Sequence, residues 1–114
     1  MKAEIKERWI KRLEAGPRKA REVLRNHAGG RCCLGHLCDI YAEDHPEAGG
    51  WHKPNGPGRD ICFFDRDGRN STSTLPPGVS AWAGLSKDDQ NPLAIANDKK
   101  PGYPLNLIRA LPED

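Results

Sequence analysis

Long apolar runs are missing from this chain of 114 residues. Crossing a bilayer as a helix takes about 20 consecutive apolar residues, and no stretch comes near that, so the sequence excludes a membrane-spanning helix and a membrane partner. The residues after Met1 are charged and amphipathic and do not read as a signal peptide, so the expected location is the cytoplasm. Aromatic residues are scarce at 6% and hydrophobic residues reach only 36%, which leaves material for one thin core. There is no Gly-rich phosphate loop, no internal repeat and no low-complexity run, which removes the common nucleotide-binding and solenoid architectures. The four cysteines contain no Cys-x-x-Cys pair. Without an export signal they read as free thiols or metal ligands, not as disulfides.

Charge and turn residues are plentiful instead. Charged residues make up 30% of the chain, and 12 Gly and 10 Pro imply much irregular backbone. No shift of composition marks a linker, so residues 1–114 are read as a single domain. Residues 1–36 carry ten basic against four acidic side chains, and residues 37–114 carry eight against twelve. The basic first third suits an anionic partner, which makes nucleic acid or a nucleotide a possible ligand for it.

Hydrophobic spacing places the elements. Ile5, Trp9 and Leu13 recur every four positions over residues 2–14, with Ile10 beside them and charge on the other face, the pattern of an amphipathic helix that Gly16-Pro17 stops. Residues 18–26 read as a short helix or, alternatively, an extended segment. The densest apolar run, Cys32-Cys33-Leu34-Gly35-His36-Leu37-Cys38-Asp39-Ile40-Tyr41, reads as a short strand through the two cysteines that turns at Gly35 into a helix ending near Asp44. Residues 46–60 are predicted to be loop, anchored by Trp51. Residues 61–64 and 69–74 are predicted to pair across Asp65-Arg66-Asp67-Gly68 as a hairpin. Val79, Trp82 and Leu85 mark a short helix, residues 86–92 a polar loop, and residues 93–98 a short apolar helix or strand. Leu105, Leu107, Ile108 and Leu111 mark a last helix, with Pro104 suited to its first turn. The predicted fold is a small α+β domain in which a short antiparallel hairpin or three-stranded sheet packs against about three to four short helices.

Three chemistries compete with a structural reading of the cysteines and acids. Cys33, His36 and Cys38, with Cys62 or His27 as a fourth ligand, match the ligand types zinc prefers, though not its usual spacing. Cys32 or Cys33 near a helix N-terminus could act as a nucleophile with His36, His27 or His45, oriented by Asp39 or Asp98. Asp65-x-Asp67-Gly68-x-Asn70 begins like a calcium loop, but Pro76 stands where the closing acid belongs. Asn97-Asp98 reads as a cap or turn. In each case the structural reading prevails: the cysteines pack as small hydrophobes, and no cofactor, metal or catalytic residue is expected.

The motifs Cys-Cys-Leu-Gly-x-Leu-Cys-Asp at 32–39, Leu-Pro-Pro-x-Val-x-x-Trp-x-Gly-Leu at 75–85 and Asn-Asp at 97–98, after a Trp-bearing first helix, resemble an uncharacterised family of small bacteriophage and prophage proteins. His36 departs from the apolar residue usual in that family, and Gly102-Tyr103-Pro104 replaces its usual opening of the last helix. The resemblance implies a phage accessory protein in the host cytoplasm, and a binding protein that inhibits or modulates a host protein. The implied target class is host defence, such as a CRISPR effector, which would make the chain an anti-CRISPR, or a nucleotide-signalling pathway whose ligand it sequesters. From the residues themselves, Arg18, Lys19, Arg21, Arg25, Arg31 and Trp51 are the expected contact residues, exposed and unneeded by the core. A thiol- or zinc-dependent enzyme is the alternative, and a nucleic-acid-binding protein the further one.

Overall fold

Helix α1 (Ala3–Glu14) forms where the spacing predicts, and the computed structural model, which describes residues 1–47 and 49–114, buries its Ile5, Trp9 and Leu13. Gly16, at φ +69°, turns the chain out of the helix in a conformation that costs glycine little. Lys6 is buried too, because its stem lies against the core while Nζ donates to the carbonyls of Arg109 at 2.7 Å and Leu111 at 2.8 Å. One ammonium thereby caps the last helix from outside.

Helix α2 (Cys33–Asp44) is the centre of the molecule. Eight of its twelve residues are buried, on every side of its first two turns, as expected of a helix enclosed by its neighbours. The strand predicted through Cys32 and Cys33 does not form. Cys32 is instead the N-cap, its Sγ accepting from the Gly35 amide at 3.3 Å, so the helix starts at Cys33, two residues earlier than Gly35 suggested. The Trp9 indole donates to the Cys33 carbonyl at 2.8 Å and ties α1 to α2.

The sheet has three strands, β1 (Gly50–His52), β2 (Cys62–Phe64) and β3 (Asn70–Ser71), antiparallel and in that order. Strand β1 falls inside the predicted loop. Trp51 places it there, opposite Phe63 in the register, with the two rings edge to face at 5.0 Å. The hairpin turn forms as predicted, but β3 is shorter than residues 69–74. Asp65 holds the turn: Oδ1 accepts from the Asp67 and Arg69 amides at 2.9 and 3.0 Å, and Oδ2 from Gly78 at 2.7 Å. Beyond β3 the Thr72 carbonyl accepts from the Leu24 amide at 2.7 Å.

Helix α3 (Pro77–Ala83) ends at Gly84 in the left-handed conformation. Helix α4 (Lys87–Lys99) is longer than predicted, because residues 86–92 are its beginning and not a loop. Ser86 and Asp89 cap each other's backbone amides reciprocally at 3.2 Å, a signal the polar composition hid, and Pro92 is accommodated within the helix. Helix α5 (Leu105–Arg109) follows Pro104, which is its N-cap. With five helices and a three-stranded antiparallel sheet among the described residues, the fold is α+β.

Residues 16–31 hold no helix where a short one was predicted over 18–26, and the extended alternative appears there only as isolated bridges. They make a strap across the start of α2, with single bridges pairing Lys19 with Arg31 and Arg25 with Arg31, and with Glu22 at φ +65°. Only Ala20 and Leu24 of its hydrophobic side chains are buried, too little apolar surface to hold a helix. The strap approaches α2 so closely that a Cβ on Gly35 would lie 2.0 Å from the Leu24 carbonyl oxygen.

Candidate interaction site

Of the six expected contact residues, the structure brings three together. Strand β1 presents Trp51 on one side of α2. The strap's antiparallel bridge sets Arg25 and Arg31 opposite each other, and each guanidinium carbon lies 5.6 Å from the centre of the Trp51 ring. That distance allows cation–π attraction. Asp39, one turn beyond His36 on α2, completes the cluster: its Oδ1 accepts from the Trp51 indole at 2.8 Å, and its Oδ2 lies 2.5 Å from Arg31 Nε. Burial raises the Asp39 carboxyl pKa, against the indole hydrogen bond and the nearby Arg31, Arg12 and Arg25, which lower it.

The turn that aims the two arginines is preformed. Asn26 Oδ1 accepts from the amides of Ala28 at 3.1 Å and Gly30 at 2.8 Å, and the Asn26 amide donates to the Gly30 carbonyl at 2.9 Å. At its tip the His27 ring, with Nε2 2.8 Å from the Arg59 carbonyl oxygen, meets the Pro/Gly loop. His27, Lys53 and residues 54–58 line an open groove of about 410 Å³.

The other three residues go elsewhere. Arg18 donates to the Ala28 carbonyl at 3.0 Å, and Arg21 is exposed with no hydrogen bond or ion pair among the described residues. Lys19 reaches the end of α4, donating to the carbonyls of Asn97, Lys100 and Gly102. Burial and Arg21 lower its ammonium pKa. The expectation that all six are exposed and unneeded by the core therefore needs correction. Arg18 and Arg21 are exposed, Lys19, Arg25 and Arg31 are half-buried, and Trp51 is half-buried and packs on the core. A Trp surrounded by apolar neighbours gains more from burying its ring than from solvent, provided its N–H finds an acceptor, as Asp39 supplies here.

Beside this cluster lies a buried polar pair that sequence reasoning missed. His36 is 5% exposed, and its Nε2 lies 3.1 Å from the Tyr103 hydroxyl oxygen. That hydroxyl is also within reach of the carbonyls of Arg31 at 3.1 Å, Pro17 at 3.2 Å and Arg18 at 3.3 Å. Carbonyls only accept, so the tyrosine proton goes to them and the ring donates from Nε2. The ring's Nδ1 is left buried without a partner among the described residues. Burial, with Arg31 and Arg12, lowers the His36 pKa to about 4, and burial raises that of Tyr103 to about 12. Asn97 is the second missed residue. Fully buried in α4, it accepts from the Cys33 amide at 3.1 Å and donates to the Ala20 carbonyl at 3.0 Å. It is neither cap nor turn; the usable signal was an amide between Ala96 and Asp98 at the end of a stretch read as a short apolar helix or strand.

The sequence-level metal and thiol sets do not assemble. Cys33 Sγ faces the Leu93 carbonyl at 4.0 Å, Cys62 Sγ faces the His52 carbonyl at 3.8 Å, and His36 and His27 are engaged as above. Among the described residues no three His, Cys, Asp or Glu side chains gather as metal ligands. All four cysteines are free and buried. Burial raises the Cys32 pKa to about 11 and those of Cys33 and Cys38 well above the ordinary thiol value, so these thiols stay protonated at neutral pH. His45 stacks on Tyr41 and takes no part in a thiol pair. Both carboxylate oxygens of Asp65 are committed to backbone amides, which opposes the calcium reading.

A family model described as Domain of unknown function (DUF8296) matches residues 1–107. No curated protein and no solved structure matches the chain.

Proposed function

We propose that the chain, which belongs to the DUF8296 family, acts by binding a protein and not by catalysis. Its contact face in this reading is the Arg25–Trp51–Arg31 cluster with the groove at residues 53–58. The observation that carries the reading is the stack itself: a half-buried indole held by Phe63 and Asp39, with two guanidinium groups over it, beside an open groove. Trp and Arg on a rigid support lose little entropy on binding and dominate the energetics of protein interfaces. The protonated, buried thiols weigh against a nucleophilic cysteine in the same region.

The resemblance to small phage and prophage proteins extends the proposal. The partner is then a host protein met in the host cytoplasm, and host defence is the target class, either a CRISPR effector or a nucleotide-signalling component. The basic strap favours a partner with an acidic surface.

The test is capture from host cells with a tagged chain, set beside a variant carrying Arg21→Glu, Arg25→Glu and Arg31→Glu whose folding is checked by circular dichroism. The expected result is one stoichiometric protein held by the parent chain and lost by the folded variant. Equal capture by both would remove the contact face. Nucleic acid recovered in place of protein, with affinity falling steeply as salt rises, would replace the protein reading with the nucleic-acid one.

A further inference from the structure

Arg25 and Arg31 are near-equivalent in position, paired across an antiparallel bridge and each 5.6 Å from the centre of the same indole ring. They differ in what answers their charge. Arg31 has a carboxylate, Asp39, at 2.5 Å, and that carboxylate is itself fixed by the indole N–H at 2.8 Å. Arg25 has no hydrogen bond or ion pair from its side chain among the described residues. The Nε atoms of both arginines are buried without a hydrogen bond among the described residues, that of Arg31 with the Asp39 carboxylate beside it, whereas the terminal nitrogens of Arg25, also without protein partners, face solvent. The solvent-facing terminal N–H groups of Arg25 are therefore free to take an acceptor from outside.

We propose that Arg25 is the receptor for a carboxylate supplied from outside, an aspartate or glutamate side chain of the protein partner. This rests on the protein-binding reading and names the chemistry of its central contact. A guanidinium is a planar fork whose parallel N–H groups match the two oxygens of a carboxylate, and the Trp51 face holds that plane still. Asp39 demonstrates that the cluster accommodates a carboxylate, since it occupies the corresponding place on the Arg31 side. The turn held by Asn26 fixes the backbone of Arg25 before any ligand arrives. Lys53 lines the groove with His27, which follows Arg25 by two residues on the strap, and adds a cation that favours an acidic segment there.

The experiment is a nuclear magnetic resonance titration of the full chain, following the Trp51 indole N–H and the Arg25 Nε–H. A glutamate-rich peptide, inorganic phosphate and sodium chloride are added in separate arms at matched ionic strength. The expected result is a saturable shift of both signals with the peptide in the parent chain, with the Trp51 shift retained in Lys87→Gln and lost in Arg25→Gln. Arg25→Lys, which keeps the charge without the fork, should weaken the response roughly tenfold. It also keeps the question answerable if Arg25→Gln does not fold. A shift that does not saturate, a response equal to that with chloride, or phosphate saturating at lower concentration than the peptide would each overturn the assignment. The two readings fail separately. If Arg25→Gln captures the partner as well as the parent chain while the triple charge reversal does not, the carboxylate receptor is wrong and the contact face stands. If the triple reversal captures it too, the contact face itself is wrong.

Discussion

Helix α2 and the strap at residues 16–31 lie against each other and are held in place by opposite means. The helix is buried through its apolar side chains, and its own backbone hydrogen bonds close within the element. The strap buries only two hydrophobic side chains, Ala20 and Leu24, and besides the bonds it makes within itself it gives carbonyls to residues far along the chain. The single Tyr103 hydroxyl proton lies among the carbonyls of Pro17, Arg18 and Arg31, the Asn97 amide donates to Ala20, and the Asp98 carboxylate accepts from the Glu22 amide at 3.0 Å. The strap's shape is therefore encoded partly in its own bridges and the Asn26 turn and partly in α4 and the loop after it. Since Arg25 and Arg31 sit on the strap, so is the geometry of the proposed contact face.

The severest way to break this comparison is to push the two regions apart. Gly35→Ala would place a Cβ against the Leu24 carbonyl, backbone on backbone with no flexible side chain to yield. The expected loss is about 4 kcal/mol or more, enough to abolish the cooperative transition in urea denaturation. A mild loss would mean that the strap is draped on α2 and not seated.

Asn97→Ala tests the polar side of the contrast. It strands the Cys33 amide and the Ala20 carbonyl together, and a destabilisation of about 3 kcal/mol is expected from the shift of the urea midpoint. An equal loss from Leu93→Ala with no change at Asn97 would reverse the assignment of what anchors the strap.

Acid sharpens the same contrast through His36. The unfolded chain protonates this ring near pH 6.5 and the folded chain only near 4, so the unfolded state binds more protons in between and stability falls as pH drops through that window. Allowing for partial solvent screening, about 2 kcal/mol should be lost, and His36→Gln should flatten the profile. Asp39, whose carboxyl pKa burial raises, works in the opposite sense and offsets part of the loss. Thermal denaturation between pH 7 and pH 4 measures the net slope.

The smallest effect is expected from Tyr103→Phe, about 1 kcal/mol, because water can reach part of the strap once the hydroxyl is gone. The Trp51 indole resonance should nonetheless move, since the Arg31 carbonyl keeps only the Ala20 amide as a donor. A stability change with no change at Trp51 would show that strap and contact face are independent.

The sequence was readable where apolar residues alone decide the structure. The spacing of Ile5, Trp9 and Leu13 gave α1, the Asp-Gly turn gave the hairpin, and Val79 with Gly84 gave α3 and its end. It was unreadable where order comes from long-range polar contacts. The strap's propensity is helical, but Lys19 and Asn97 override it through contacts 78 and 77 positions away in sequence. The start of α4 was hidden because a capping box carries no periodicity and Pro92 argues for a loop. Part of the candidate site was legible, in that Arg25, Arg31 and Trp51 are adjacent as well as chemically distinctive. Asp39 was not, because an acid next to a cysteine gave no sign that it would receive an indole N–H.

Asp65 joins three amides from two elements, those of Asp67 and Arg69 in the hairpin turn and that of Gly78 at the start of α3. Residues that share one buried acceptor lose their protection together. In hydrogen exchange the hairpin and the first turn of α3 should thus open as a single unit, at a rate set by one carboxylate, while α2 behind them stays closed.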